Sequence, residues 1–114
     1  MYTIKKIIMQ YYNLSEIEWK EPVSGFKARF VHSENITLAY WDIEAEASLP
    51  EHSHPHEQIT NVIEGEIELI VDGEARILEP GSVLVVPPDA VHSGKAVTNC
   101  RIIDVFYPIR EDYR

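Results

Sequence analysis

The amino-acid sequence predicts an all-β protein, a sandwich or barrel built from many short strands. Runs of β-branched and aromatic residues recur about every 8–12 residues, with turn residues between them. Helical periodicity is weak throughout. A chain of 114 residues is long enough for one hydrophobic core but not for two. We therefore expect a single domain over residues 1–114.

The predicted strands follow one another from a lead-in of residues 1–20, in which "NLSEIEW" reads as helical or extended. "FKARFVH" alternates apolar and basic residues, and "NITLAYWDI" is rich in residues that favour strands. "EIELIVDGEARIL" predicts a hairpin, because Asp-Gly at 72–73 suits a type I′ turn with positive φ. "SVLVVPP" predicts a short buried strand, and "CRIIDVFYP" a strand ended by Pro108.

The charge and composition exclude several classes of protein. Nineteen acidic against ten basic residues give a net charge of −9, which argues against nucleic acid or an anionic membrane as partner. The N-terminus has neither the apolar run of a membrane span nor a signal-peptide cleavage site. The single cysteine, Cys100, is read as a core residue of a protein in a reducing compartment. We therefore expect a cytoplasmic protein.

Histidines cluster in "PEHSHPHEQITNVIEG", where His52, His54 and His56 occupy alternate positions. Side chains two apart on a strand share a face, so His52 and His54 should reach one metal ion, with the next proline ending the strand. Gln58 can add an oxygen, and His92 in "PPDAVHSG" is the candidate distant ligand. Such a set with open positions is typical of a catalytic metal site. A solvated, histidine-rich turn is the alternative.

Two segments resemble the paired cupin motifs. "HSHPHEQITNVIEG" is similar to the first, His-x-His followed by Glu or Gln and then Gly, and "GSVLVVPPDAVH" is similar to the second. The resemblance implies a double-stranded β-helix, the cupin jelly-roll barrel. It also implies one divalent transition metal, with Ni, Zn, Fe and Mn all open. The implied metal ligands are His52, His54, Gln58 and His92.

The sequence departs from the usual motifs at three informative positions. Glu46 and Asp89 stand where glycines are usual; both positions serve turns, and Asp tolerates a left-handed conformation. Gln58 stands where many cupins have glutamate. A neutral ligand set leaves the full +2 charge on the metal, which favours Lewis-acid chemistry over oxygen chemistry.

The C-terminal stretch supplies further polar candidates. Strand parity turns Asp104 and Phe106 inward if Arg101 faces solvent, and an inward carboxylate near a metal is a candidate for proton transfer. Arg110 could reach over the mouth of the barrel and bind a carboxylate. A solvated charged tail is the alternative for "REDYR".

"HSHPHEQ" together with "DVFYPIRED" resembles the small uronate-linearising cupins of pectin and alginate breakdown (KdgF-type). These enzymes open the ring of 4,5-unsaturated monouronates to give 5-keto-4-deoxyuronate. The resemblance implies an enzyme of this kind with a small anionic sugar-acid substrate, and catalytic residues Asp104, Phe106 and Arg110. It also implies a homodimer, for which Tyr40, Trp41 and the N-terminal segment could supply apolar surface.

The sequence leaves open other functions and the roles of two further histidines. A metal-dependent dioxygenase on the same ligands and a non-catalytic sugar- or effector-binding cupin are the alternatives; a sugar-phosphate isomerase is less favoured because no lysine-rich patch accompanies the motifs. His56 could be a ligand, a support for the ligands or a loop residue, and His32 is expected to be structural. Because metal binding needs neutral imidazoles, we expect metal loss as pH falls through roughly 6.

Overall fold

The computed structural model describes residues 7–114, which form ten strands and two short 3-10 turns over Leu14–Glu16 and Glu111–Tyr113. Among the described residues, no helix is long and apolar enough to cross a membrane. The strands are β1 Lys20–Val23, β2 Phe26–His32, β3 Thr37–Ile43, β4 Ser48–His52, β5 Glu57–Glu64, β6 Ile67–Val71, β7 Glu74–Leu78, β8 Val83–Val86, β9 His92–Ala96 and β10 Cys100–Tyr107.

The strands form two antiparallel sheets that share one core, which confirms the predicted all-β jelly roll. The six-stranded sheet has the order β1-β2-β3-β10-β5-β8, and the four-stranded sheet the order β4-β9-β6-β7. Inward side chains of both sheets pack into a single apolar cluster. Its aromatic members are Phe26, Phe30, Trp41 and Phe106.

Several predicted elements are present with the expected geometry. The Asp-Gly turn joins β6 to β7 with φ of 48° at Asp72 and 81° at Gly73. β10 ends directly before Pro108 and alternates buried and exposed side chains, with Asp104 and Phe106 inward. Cys100 is buried on the same face, and burial raises the pKa of its thiol. A buried, protonated thiol supports its assignment to the core.

The glycine replacements in the motifs occupy left-handed backbone, as expected for turn positions. Glu46 has φ of 74° and Asp89 has φ of 66°. The Asp89 N–H donates to the carbonyl of His54. This hydrogen bond ties the turn after β8 to the histidine loop.

Three predictions about these elements are wrong. "SVLVVPP" is not a buried strand: β8 is an edge strand, and Val83 and Val85 on its outer face are 62% and 54% exposed. Trp41 cannot contribute apolar surface to a dimer interface, because strand parity turns its ring into the core. β4 ends at His52, so His54 lies in the following loop and not on the strand.

Candidate metal centre and polar cavity

Three histidines from two distant segments of the chain converge inside the jelly roll. β4 pairs with β9 so that His52 lies directly opposite His92, and their ring centroids are 4.1 Å apart. The loop between β4 and β5 brings His54 to 4.9 Å from His92 by the same measure. One ring nitrogen from each histidine lies within 4.8 Å of the other two, so the three form a group that could hold a metal ion.

Backbone carbonyls fix the tautomer of all three rings. The Nδ1 atoms of His52, His54 and His92 lie 2.8, 3.1 and 2.8 Å from carbonyl oxygens two residues away in the chain. A carbonyl only accepts hydrogen bonds, so each Nδ1 carries the proton and each Nε2 keeps a lone pair. Hydrogen bonding of this kind is what orients metal-binding imidazoles in proteins.

Among residues 7–114, no protein group donates a hydrogen bond to these Nε2 lone pairs. Nε2 of His92 is buried without a hydrogen-bond partner among the described residues. Nε2 of His54 faces the side-chain oxygen of Gln58 at 3.1 Å, while the Gln58 amide nitrogen donates to Thr60 at 3.0 Å. Two acceptors facing one another without a proton repel, and a cation relieves the repulsion. The donor set therefore fits a divalent metal.

Burial keeps the imidazoles ready to bind metal. Removal from water lowers the pKa of His54 to about 4, and the charge of Arg110 adds to the effect. Burial likewise lowers the pKa of His92. Both rings are therefore neutral at physiological pH, as metal ligation requires.

Asp104 is a buried carboxyl with one satisfied and one open oxygen. The indole N–H of Trp41 donates to Oδ2 at 3.0 Å, whereas Oδ1 has no partner of standard geometry among the described residues. Burial raises the pKa of Asp104 to about 6, although the nearby side chains of Thr60, Trp41 and Gln58 favour the carboxylate. Asp104 is therefore mainly ionised at neutral pH, and its pKa suits proton transfer.

Arg110 lies inside the protein, 7% exposed, and not over the mouth as the sequence suggested. Its guanidinium stacks 4.7 Å from the ring of Phe106 and 4.2 Å from that of Tyr113. Nε and Nη2 donate to the two carboxylate oxygens of Asp112 at 2.9 and 2.7 Å. One edge of the guanidinium is thus already paired, and Nη1 makes no hydrogen bond within residues 7–114.

The C-terminal segment that carries Arg110 is anchored by distant side chains. The backbone N–H of Arg110 donates to the hydroxyl of Thr37 at 2.9 Å. His32 lies 2.8 Å from the same hydroxyl and 3.2 Å from the carbonyl of Tyr113. Because that carbonyl only accepts, His32 Nε2 carries the proton and the hydroxyl donates to Nδ1. His32 therefore has the structural role that was expected of it.

His56 supports the site from outside the metal group. Its carbonyl receives the Nδ1 proton of His54, and its own Nε2 lies 3.2 Å from the carbonyl of Ile109. The residue thus orients one imidazole and holds the C-terminal segment at the same time. Of the roles left open by the sequence, support for the ligands fits best.

A cavity of about 60 Å³ lies between the metal group and the side chains of Asp104 and Arg110. Its walls include side chains of the metal group, the inward carboxyl and the buried arginine. The polar and aromatic lining residues are Phe26, Trp41, His52, Gln58, Thr60, His92, Asp104, Phe106, Arg110 and Tyr113.

Thr60, Trp41 and Tyr113 are site residues that the sequence analysis missed. Thr60 could have been found, because it lies two positions after Gln58 on the same strand and must share its face. Trp41 reaches Asp104 only through the pairing of β3 with β10, where Asp104 lies opposite Ala39. No pattern in the sequence reveals that register.

Comparison with known proteins agrees with this architecture. The cupin domain family matches residues 39–106, more than half of the chain. The protein is a cupin. No curated protein matches the sequence.

Two solved structures resemble this cupin over nearly its whole length. KdgF from Halomonas sp. is 26% identical, with a TM-score of 0.87 over 94% of this chain and 100% of the other. An RmlC-like cupin from Shewanella frigidimarina is 27% identical, with the same TM-score over 94% and 97%. Oxalate decarboxylase from Bacillus subtilis shares the fold alone, at 19% identity and a TM-score of 0.80 over 96% of this chain and 32% of the other.

Proposed function

We propose that this cupin is a metal-dependent enzyme that linearises 4,5-unsaturated monouronates to 5-keto-4-deoxyuronate. The observation that carries the proposal is the open oxygen of Asp104 in the cavity that His52 and His92 of the three-histidine group also line. A proton-transferring carboxyl beside a Lewis-acid site is what ring opening of a cyclic hemiacetal needs. The likeness to KdgF from Halomonas sp. supports the choice of substrate class.

The reaction needs one proton to be removed and one to be delivered. Oδ1 of Asp104 takes the proton of the anomeric hydroxyl, C1=O forms, and the bond from C1 to the ring oxygen breaks. The electron pair of that bond passes to the C5 oxygen as an enolate, and Asp104 returns a proton to C4. The product is an isomer of the substrate, so no oxidant or second reactant is required. A metal bound by His52, His54, His92 and Gln58 would supply Lewis-acid stabilisation of the enolate charge.

Arg110 provides the positive charge that a uronate carboxylate requires. The chain carries a net charge of −9, so an anionic substrate needs a local cation to offset long-range repulsion. With Nε and Nη2 held by Asp112, Nη1 is left for the substrate. The ring of Phe106, stacked on the guanidinium, forms the apolar wall against which the sugar ring lies.

The proposal is tested by the loss of ultraviolet absorbance as the C4=C5 double bond disappears. Metal-replete protein should accelerate that loss over the buffer control, and chelator-treated protein should not. Asp42→Ala is the matched control, because Asp42 lies on the outer face of β3 beside Arg101. No acceleration by the metal-replete protein would refute the proposed function.

The alternative functions give different readouts in the same experiment. A dioxygenase would consume oxygen with a redox-active metal. A non-catalytic sugar-binding cupin would bind the uronate, detected by calorimetry, without turnover. Loss of the absorbance with no oxygen uptake excludes both.

We also propose that two copies of the chain associate through the outer face of the six-stranded sheet. Ile63, Val83, Val85 and Tyr107 are each at least half exposed there, and an apolar patch of this kind is typical of an interface. Val85→Glu should convert a dimer to a monomer in light scattering. A monomeric wild-type protein at micromolar concentration would refute this.

A further inference from the structure

We propose that Thr60 and Asp104 determine which end of the Gln58 side chain faces the three histidines. They do so through a chain of hydrogen bonds with a fixed direction. Neither residue is a metal ligand in this arrangement; both act by keeping the amide oxygen of Gln58 on the metal side. The inference concerns metal binding and does not depend on the uronate reaction.

A glutamine ligand has an ambiguity that a glutamate lacks. The two ends of the amide have nearly the same shape, but only the oxygen can bind a metal, while the NH₂ group only donates. If the amide turned over, its NH₂ could donate to the Nε2 lone pair of His54, which lies 3.1 Å from the Gln58 oxygen. In the metal-free protein that orientation would be electrostatically favourable. Something else must hold the oxygen in place.

Thr60 is the partner of the amide nitrogen. The two side chains share the inner face of β5, and Gln58 Nε2 donates to Thr60 Oγ1 at 3.0 Å. Thr60 is 2% exposed, so water does not compete for its hydroxyl. A hydroxyl can donate as well as accept, however, and Thr60 alone would tolerate either end of the amide.

Asp104 removes this freedom. It lies directly opposite Thr60 in the pairing of β5 with β10, and a carboxylate only accepts hydrogen bonds. Trp41 already donates to Oδ2, which leaves Oδ1 to receive the hydroxyl proton. Side chains directly opposite one another in an antiparallel pair lie side by side on one face of the sheet. Oδ1 has no other hydrogen-bond partner of standard geometry among residues 7–114, so the Thr60 hydroxyl proton is placed toward it.

The direction of the chain then follows step by step. Because the Thr60 proton points to Asp104, the Thr60 oxygen can only accept. The amide end next to Thr60 must therefore be NH₂, and the oxygen end must face the histidines. A carboxylate oxygen has a second lone pair, so this contact still leaves Oδ1 open to a substrate proton.

The test is titration with Co²⁺ alone at mildly alkaline pH, followed by the visible absorption of the bound ion. Thr60→Val should weaken Co²⁺ binding about 10- to 100-fold, as losses of outer-sphere partners do, and should alter the absorption bands. Thr60→Ser should restore both. Asp104→Asn should weaken binding similarly, because its NH₂ can donate to Thr60 and reverse the chain.

Thr37→Val is the matched control. Thr37 is also a buried threonine with an engaged hydroxyl, but that hydroxyl serves Arg110 and His32. Its Co²⁺ affinity should equal that of the wild type. Circular dichroism and thermal unfolding establish that each variant is folded, and Thr60→Ser provides a readout if Thr60→Val is not.

A double-mutant cycle with Gln58→Glu isolates the mechanism. Both ends of a glutamate are oxygens, so orientation no longer matters, and Thr60→Val should have little effect on Co²⁺ affinity in that background. An equal loss in both backgrounds would overturn the proposal. So would wild-type affinity in Thr60→Val, or failure of the wild type to bind Co²⁺. Activity does not enter the experiment, so an incorrect substrate assignment leaves its result unaffected.

Discussion

His52 and His92 of the metal group line the same cavity as Asp104 and Arg110. The two sets of side chains are held in place by partners at very different separations along the chain. Each imidazole of the metal group is oriented by a carbonyl two residues away. Asp104 and Arg110 instead depend on Trp41 and Thr37, which are 63 and 73 positions away in the chain.

This difference separates what local sequence determines from what only the fold determines. A ring held by its own loop keeps its orientation when distant packing changes. A carboxyl held by an indole on another strand does not. We therefore expect the orientation of the three imidazoles to tolerate substitutions elsewhere in the protein, and proton transfer and substrate binding to be more sensitive to them.

The largest effect should come from removing the carboxyl. Asp104→Ala should lower turnover about 10²- to 10⁴-fold, the usual contribution of a general acid–base group, with metal and substrate saturating. The uronate absorbance assay measures it. Asp42→Ala should retain full activity, and full activity in Asp104→Ala would refute the assigned role.

The next effect should come from removing a metal ligand. A metal present at a hundredfold excess over its Kd stabilises a fold by about 2.7 kcal/mol, so chelation of the wild type should lower its Tm by about 10 °C. His92→Ala should show no response to chelator in differential scanning fluorimetry. His32→Ala should keep the response, because His32 lies outside the metal group. Equal responses in the two variants would contradict the assignment.

Acidification should abolish proton transfer by Asp104 before it affects the histidines that bind the metal. Proton transfer needs the Asp104 carboxylate, whose pKa is raised to about 6, so kcat/KM should fall about tenfold per pH unit below that value. The pKa of His54 is lowered to about 4, so this ligand should still be neutral where Asp104 becomes protonated. Bound Co²⁺ and activity measured together would contradict the separation if they declined in parallel.

The smallest effect should come from the anchor of the C-terminal segment. Thr37→Val removes the acceptor of the Arg110 N–H, a single hydrogen bond worth about 0.5–1.5 kcal/mol. KM for the uronate should rise about 2- to 10-fold with little change in kcat, because the Arg110 guanidinium that binds the substrate is displaced but the Asp104 carboxyl is not. Thr37→Ser should reverse the change, and a selective loss of kcat would point to a different role.

The same contrast explains what the sequence could predict. His52 and His54 were identifiable because their spacing is local, and His92 because its segment resembles the second cupin motif. The inward face of β10 followed from strand parity. The pairing of Asp112 with Arg110 and the packing of Tyr113 on Arg110 depend on how the last residues fold back over the cavity. The exposed face of β8 was missed because an apolar run does not reveal whether a strand lies at the edge of a sheet.

The convergence of unprotonated nitrogens also bears on how the protein should be prepared. Imidazole and amide groups accept several first-row ions, in an order of affinity that copper and zinc dominate. A recombinant host will therefore fill the centre with whichever ion its growth medium supplies most freely. The element found in one purified batch then identifies the medium, and only reconstitution with a series of ions, compared by turnover of the uronate, identifies the ion that supports the proposed activity.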